Sequence, residues 1–121
     1  MAAIRYLVTD IDAAIAFYTE RLDFTLEQQM GPAFAIVTRA GLSLWLAGPK
    51  SSAARAMPDG RKPEPGGWNR LVLEVEDLEA VAAELKASGV TFRNDVVSGP
   101  GGKQILLEDP DGNPLELFQP A

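Results

Sequence analysis

The last segment of the sequence places a carboxylate where an apolar side chain would be expected. Glu116 lies between Leu115 and Leu117, in an apolar run that follows a Pro-Asp-Gly-Asn turn. A strand inside a sheet rarely carries a charge between apolar neighbours, so this position is expected to face solvent or a functional site. A carboxylate there could act as a base, bind a metal ion or pair with a cation.

The absence of two residue types excludes several kinds of catalytic and metal-binding site. The 121-residue sequence contains neither cysteine nor histidine. Disulfides, thiolate metal sites, the commonest metal ligand and the commonest general base are therefore unavailable. Nucleophile-elbow, zinc and dinucleotide-binding motifs do not occur. Residues 99–103 are glycine-rich but lack the spacing of a phosphate loop, and we interpret them as a hairpin loop.

Charge and hydropathy indicate the setting in which the protein works. The net charge is -6 and no block of basic residues occurs, which argues against nucleic acid and anionic membranes as partners. Asp10, Asp12 and Glu20 lie where a signal peptide would need an apolar core, and no apolar run approaches membrane length. We therefore predict a cytoplasmic protein.

The elements that would position Glu116 follow a pattern that occurs twice. The first set consists of a strand over 4–9, a helix whose start Asp10 can cap, and strands over 24–29, 33–39 and 42–47. The second set consists of a strand over 70–75, a helix between Asp77 and Gly89, a strand that begins at 90–92, and a hairpin over 104–118. The repeated strand-helix-strand-strand-strand order indicates an internal duplication.

A single domain over 1–121 is expected, with module one at 1–47, a loop at 48–67 and module two at 68–121. The loop is rich in proline, glycine and serine and could form one helical turn over 53–57. Irregular segments of this length in a compact domain are usually lids, binding loops or linkers, and these alternatives remain open.

Three groups of residues carry a family resemblance: 6–12 with 17–24, 73–78 with 85–90, and 109–117. Together they resemble the vicinal oxygen chelate superfamily, which includes glyoxalase I, bleomycin resistance proteins and extradiol dioxygenases. The resemblance implies an α+β fold in which two βαβββ modules form curled mixed sheets around a cup. It also implies that the cup is often completed across a homodimer.

Enzymes of that superfamily hold a divalent metal with four strand residues, usually His or Glu. The resemblance places Ala3, Trp45, Arg70 and Glu116 at these positions. Alanine has no donor atom, tryptophan offers only an N–H, and arginine is a cation. We therefore expect no metal site of the family kind, and we predict no cofactor and no catalytic residue.

A ligand is expected to occupy the cup instead. We predict that Arg70 and Glu116 form an ion pair at the former metal position, either for recognition or only to join the two modules. The predicted ligand-binding residues are Trp45, Trp68, Asn69, Arg70, Glu116 and Met57. Trp45 could stack against a planar ligand, whereas Trp68 could line the pocket mouth or merely cover the core edge. The net charge favours a cationic ligand, which Arg70 would oppose.

The leading hypothesis is a metal-free protein that binds a small molecule, drugs included, similar to bleomycin resistance proteins. The alternative is a divergent lyase, isomerase or dioxygenase that acts on a small metabolite, with Glu116 as base in the metal-free case. Arg70 would weaken Glu116 as a base because it favours the charged carboxylate. A third hypothesis is a module whose dimer surface is its function.

Overall fold

A strand-helix-strand-strand-strand order occurs twice in the computed structural model, which describes residues 1–121. The chain divides into two units, Met1–Pro65 and Gly66–Ala121, and each contains one four-stranded sheet and one α-helix. The predicted α+β fold with two βαβββ modules is confirmed. The division falls at the end of the predicted loop, and the single-domain boundaries at 47 and 68 stay a prediction.

The first unit contains β1 (Ile4–Leu7), α1 (Ile11–Arg21), β2 (Thr25–Met30), β3 (Phe34–Arg39) and β4 (Leu42–Ala47). The strand order in its sheet is β1-β4-β3-β2, with β1 parallel to β4 and the other pairs antiparallel. A single 3-10 turn, Ser52–Ala54, follows in the loop, slightly earlier than the helical turn expected over 53–57.

Local residue chemistry explains where these elements begin and end. Asp10 caps α1, since its Oδ1 accepts a hydrogen bond from the Ala13 N–H at 3.1 Å. After the helix, Asp23 takes the left-handed conformation (φ 58°) that glycine usually provides. Ala40 and Gly41 (φ 49° and 82°) make the tight turn between β3 and β4.

One face of the first sheet packs against α1 and the other carries no helix. Tyr18 of α1 and Val37, Leu44 and Leu46 of the strands are fully buried on the packed side. Because alternate strand residues point to opposite faces, Trp45 lies on the uncovered side. The helix-free face therefore leaves part of the Trp45 ring exposed.

The second unit contains β5 (Leu71–Glu74), α2 (Leu78–Ala87), β6 (Val97–Gly99), β7 (Gly102–Glu108) and β8 (Pro114–Pro120). Its strand order, β5-β8-β7-β6, reproduces that of the first sheet, with β5 parallel to β8. Asp77 caps α2 through the Ala80 N–H at 3.1 Å, and Gly89 (φ 88°) follows the helix as expected. Its core consists of buried aliphatic residues: Leu71, Leu73, Leu78, Leu85, Ile105, Leu107, Leu115 and Leu117.

One predicted strand is present only as a single bridge. Residues 90–92 form no strand beyond an isolated bridge between Phe92 and Leu107, and the strand in this part of the module is β6. The Asn94 side chain accepts the Leu106 N–H at 2.9 Å, a donor that a continuing strand would bind with its own backbone carbonyl. The ladder along β7 is therefore interrupted before β6 begins.

Neither helix has the length and apolar character needed to cross a membrane.

Candidate functional site

The predicted ion pair between Arg70 and Glu116 is present in the second unit. Arg70 lies immediately before β5, and its Nε and Nη2 donate to Glu116 Oε1 at 3.0 and 2.9 Å. The Glu116 side chain is only 9% exposed and that of Arg70 is 28% exposed. Arg70 Nη1 also donates to the Trp68 carbonyl at 3.3 Å. The guanidinium thus fixes both the carboxylate and the end of the preceding loop.

The β-sheet register explains why Glu116 lies apart from the core. Its neighbours Leu115 and Leu117 are fully buried on the side of α2, so Glu116 points to the opposite, helix-free face. On that face its partner on β5 is Val72, which is 54% exposed, and its partner on β7 is the buried Leu106. Both guanidinium bonds go to Oε1, which leaves Oε2 available to accept a hydrogen bond from a ligand.

The side chains at the family's four metal positions do not form a ligand set. Ala3 has no donor atom, and the Trp45 Nε1–H donates to Ser43 Oγ at 3.2 Å. Arg70 brings a positive charge to the carboxylate of Glu116. The structure contains no group of three or more acidic side chains that could hold a metal ion. The residues present therefore do not fit the metal on which the superfamily's enzymes rely.

Trp45 lies in an aromatic cluster on the helix-free face of the first unit. Its ring meets that of Phe34 edge-to-face, with centroids 5.6 Å apart and planes at 88°. The guanidinium carbon of Arg5 lies 5.2 Å from the Trp45 centroid and 5.9 Å from that of Phe34. Arg5 and Phe34 were not among the predicted ligand-binding residues. A usable signal was present, because Arg5 on β1 follows Ala3 by two residues, the spacing at which residues of an extended chain share a face.

Trp68 lies at the start of the second unit and is 68% exposed. The guanidinium of Arg93 lies 4.6 Å from its ring centroid. Arg93 also donates to Glu108 Oε2 at 2.8 Å, to the Gly67 carbonyl at 2.8 Å and to the Gly112 carbonyl at 2.9 Å. This side chain, only 16% exposed, ties the end of the loop to the β7–β8 hairpin. Arg93 was not among the predicted ligand-binding residues.

The remaining predicted residues are exposed. Asn69 lies between Trp68 and Arg70. Met57, 43% exposed, belongs to a turn of the first unit in which its N–H donates to the Arg61 carbonyl at 2.7 Å. The second unit therefore brings together Trp68, Arg70 and Glu116, with Asn69 beside them in sequence, whereas Trp45 and Met57 belong to the first unit. Their joint role in binding stays a prediction.

A buried polar turn sets the position of β8 and hence of Glu116. Asp109, 4% exposed, accepts the backbone N–H groups of Asp111 and Asn113 through Oδ1 and the Asn113 side-chain amide through Oδ2, each at 2.9 Å. Asn113 Oδ1 in turn accepts the Gly66 N–H at 2.8 Å. The sequence predicted a tight turn here but not this network, which also holds the end of the loop.

The repeated βαβββ order and the strand positions around Glu116 define a class of proteins built from paired modules. The chain belongs to the Glyoxalase/Bleomycin resistance protein/Dioxygenase superfamily, whose family model matches residues 1–117. The predicted family is thereby confirmed.

Individual relatives cover nearly the whole chain. The protein YaeR of Escherichia coli is 29% identical over 119 residues, which are 96% of this chain and 92% of the relative. TnmS3, an antibiotic binding protein from Streptomyces sp., is 29% identical with a TM-score of 0.71, covering 100% of this chain and 97% of its own. A superfamily member from Sphaerobacter thermophilus is 28% identical with a TM-score of 0.75, covering 98% of both chains.

Proposed function

We propose that this protein binds a small molecule without a metal ion and without transforming it. The observation that carries the proposal is the chemistry at the four metal positions. Ala3, Trp45 and Arg70 supply no metal ligand, and the remaining carboxylate of Glu116 is held by Arg70 at 2.9 Å.

Two further features support a binding role. Each unit has a sheet face without a helix, and these faces carry polar and aromatic groups that include Trp45 in the first unit and Glu116 in the second. Binding sites usually combine apolar and aromatic surface with a few oriented polar groups. The similarity to TnmS3, an antibiotic binding protein, supports drugs as one class of candidate ligand.

The alternative, a divergent lyase, isomerase or dioxygenase acting on a small metabolite, has less support. A metal-free reaction would depend on Glu116 as the base. The guanidinium of Arg70 occupies Oε1 of that carboxylate with two hydrogen bonds. Only Oε2 would be available to take a proton from a substrate.

We further propose that the protein acts in the cytoplasm as a homodimer, with neither nucleic acid nor membrane as a partner. The net charge of -6, without a basic block, supports the exclusion of polyanionic partners. Light scattering coupled to size-exclusion chromatography is expected to give twice the chain mass, and a monomer at micromolar concentration would contradict the dimer.

A thermal-shift screen of chelator-treated protein against planar metabolites and antibiotics tests the binding role. A ligand that binds only the folded state at about 100 times its Kd adds about 2.7 kcal/mol of stability. For a chain of this length each kcal/mol raises Tm by about 4 °C, so a shift of about 10 °C is expected. No shift across a broad library, or shifts that require added zinc, nickel, iron or manganese, would contradict the proposal.

A further inference from the structure

We propose that Arg5 makes the helix-free face of the first unit a binding site for planar aromatic anions. This inference rests on the proposed binding function and assigns a ligand class to it. The residues that carry it are Arg5 on β1, Phe34 on β3 and Trp45 on β4.

Arg5 differs from the arginines that are held by carboxylate or carbonyl oxygens. Arg61, Arg70 and Arg93 each have a carboxylate oxygen within 3.0 Å. Arg39 donates to the Leu22 carbonyl at 3.0 Å. Arg5, in contrast, makes no ion pair and lies over two aromatic rings, at 5.2 and 5.9 Å from their centroids. Its charge is therefore positioned but not neutralised.

The geometry of the cluster leaves the charge available to a ligand. A guanidinium that contacts a ring through its π system keeps its N–H donors in its own plane, where they can bind a carboxylate in bidentate fashion. Five donors are present on Arg5, which is exposed. An anion can therefore bind the edge of Arg5 while the aromatic contacts keep the side chain in place.

The aromatic pair defines the other half of the ligand. Trp45 and Phe34 are partly exposed and meet edge-to-face, so together they form an apolar surface made of two perpendicular rings. The one polar atom of the indole, Nε1, already donates to Ser43 Oγ at 3.2 Å. Trp45 therefore offers a ligand its ring rather than a hydrogen bond. A flat ring that carries a carboxylate matches this surface and Arg5 together.

This assignment reverses the ligand charge expected from composition. The net charge of -6 acts over long distances and is screened beyond about 8 Å at physiological ionic strength. A guanidinium in direct contact with the ligand acts at much shorter range. In the second unit Arg70 has no uncompensated charge to offer an anionic ligand, because Glu116 neutralises it at 2.9 Å. Arg5, the charged side chain that lies against the two rings, is therefore expected to set the sign of the ligand charge at this aromatic pair.

The test compares two probes of the same shape, 2-naphthoate and the neutral 2-naphthamide, by calorimetry and by NMR of the tryptophan indole N–H signals. We expect naphthoate to bind at least about tenfold more tightly than naphthamide, as charge-assisted bonds are about twice as strong as neutral ones. Binding is expected to shift the Trp45 signal and to leave that of Trp68 unchanged. Arg5→Gln is expected to lower naphthoate affinity to that of the amide.

Arg21→Gln is the matched control, since it removes the same charge from the last turn of α1, which packs on the opposite sheet face. It is expected to preserve the preference for naphthoate. Arg5→Lys serves as a second variant, which keeps the charge but not the planar donors, and intermediate affinity is expected. Equal affinity of the wild type for both probes, no binding of either at millimolar concentration, or an unchanged preference in Arg5→Gln would overturn the inference.

Failure of this inference is distinguishable from failure of the proposed function. If neither naphthyl probe binds but a neutral or cationic compound from the library raises Tm, the binding function stands and the assignment of an aromatic anion is wrong. If no compound of any charge raises Tm, the binding function itself fails.

Discussion

Glu116 shows how the neighbours of one side chain decide its chemistry. A carboxylate at this strand position can bind a metal ion when other metal ligands lie around it. Here Glu116 Oε1 instead binds the guanidinium of Arg70. Because Glu116 is 9% exposed, its charge depends on that guanidinium for compensation. Removal of either partner should therefore cost more than removal of both.

At this scale we predict that Arg70→Met destabilises the protein by about 3 kcal/mol, the lower end of the range for a broken buried pair. The lower end applies because Arg70 is 28% exposed and water can partly replace it. Arg70→Met combined with Glu116→Leu is expected to recover most of the loss, since no unpaired charge remains. Urea denaturation of the wild type and of both variants measures these differences.

The control is Arg61→Met, which breaks the exposed pair with Asp59, whose side chains are 83% and 55% exposed. Its effect should stay within about 0.5 kcal/mol. If Arg70→Met lowers the free energy of unfolding as little as the control does, the Arg70–Glu116 pair contributes no more stability than an exposed ion pair.

The sequence identified some of these residues and missed others for physical reasons. Arg70 and Glu116 could be paired because the family pattern fixes two strand positions across one sheet. Arg93 could not be recognised, because its partners Glu108, Gly67 and Gly112 come together only after the β7–β8 hairpin has formed. Arg5 lies two residues after Ala3, but its aromatic contacts depend on rotamers that spacing alone does not specify.

Among the elements, the β7–β8 hairpin depends on close backbone contact at Gly102. This residue adopts φ 144°, and a Cβ at its position would overlap the carbonyl oxygen of Gln119 on β8. Gly101, its neighbour in the turn after β6, would place a Cβ in open space. Strand pairing therefore requires glycine at position 102, whereas position 101 has room for a larger side chain.

We therefore predict that Gly102→Ala destabilises the protein by about 3 kcal/mol, because the added methyl group must push two paired strands apart. Gly101→Ala is the matched control and should change stability by less than about 0.5 kcal/mol. Thermal and urea unfolding of the two variants measure the difference. Equal stability of the two would show that β8 does not pair with β7 in the register described.

Element prediction succeeded where local chemistry was decisive. The Asp residues that cap both helices and the glycine that follows α2 were identified from residue type. The strand expected from residue 90 is limited to one bridge, because the Leu106 N–H donates to the Asn94 side chain and the backbone ladder does not continue. Propensity carries no information about such a partner.

For the whole molecule, the duplication was the most reliable feature of the sequence, since the same element order and helix caps recur in both units. The family match over residues 1–117 agrees with it. Function was less accessible from sequence, because superfamily membership is compatible with both binding and catalysis. Binding without a metal ion is therefore inferred from the donor chemistry of a few positions rather than from the fold.

Native mass spectrometry of protein purified without chelator, mixed with the compound that raises Tm most, tests the central claim most directly. We expect a protein species that carries the compound at its unchanged mass and no metal ion. The same species should form after treatment with chelator. Stoichiometric zinc, nickel, iron or manganese in the bound species, or release of the compound at an altered mass, would contradict it.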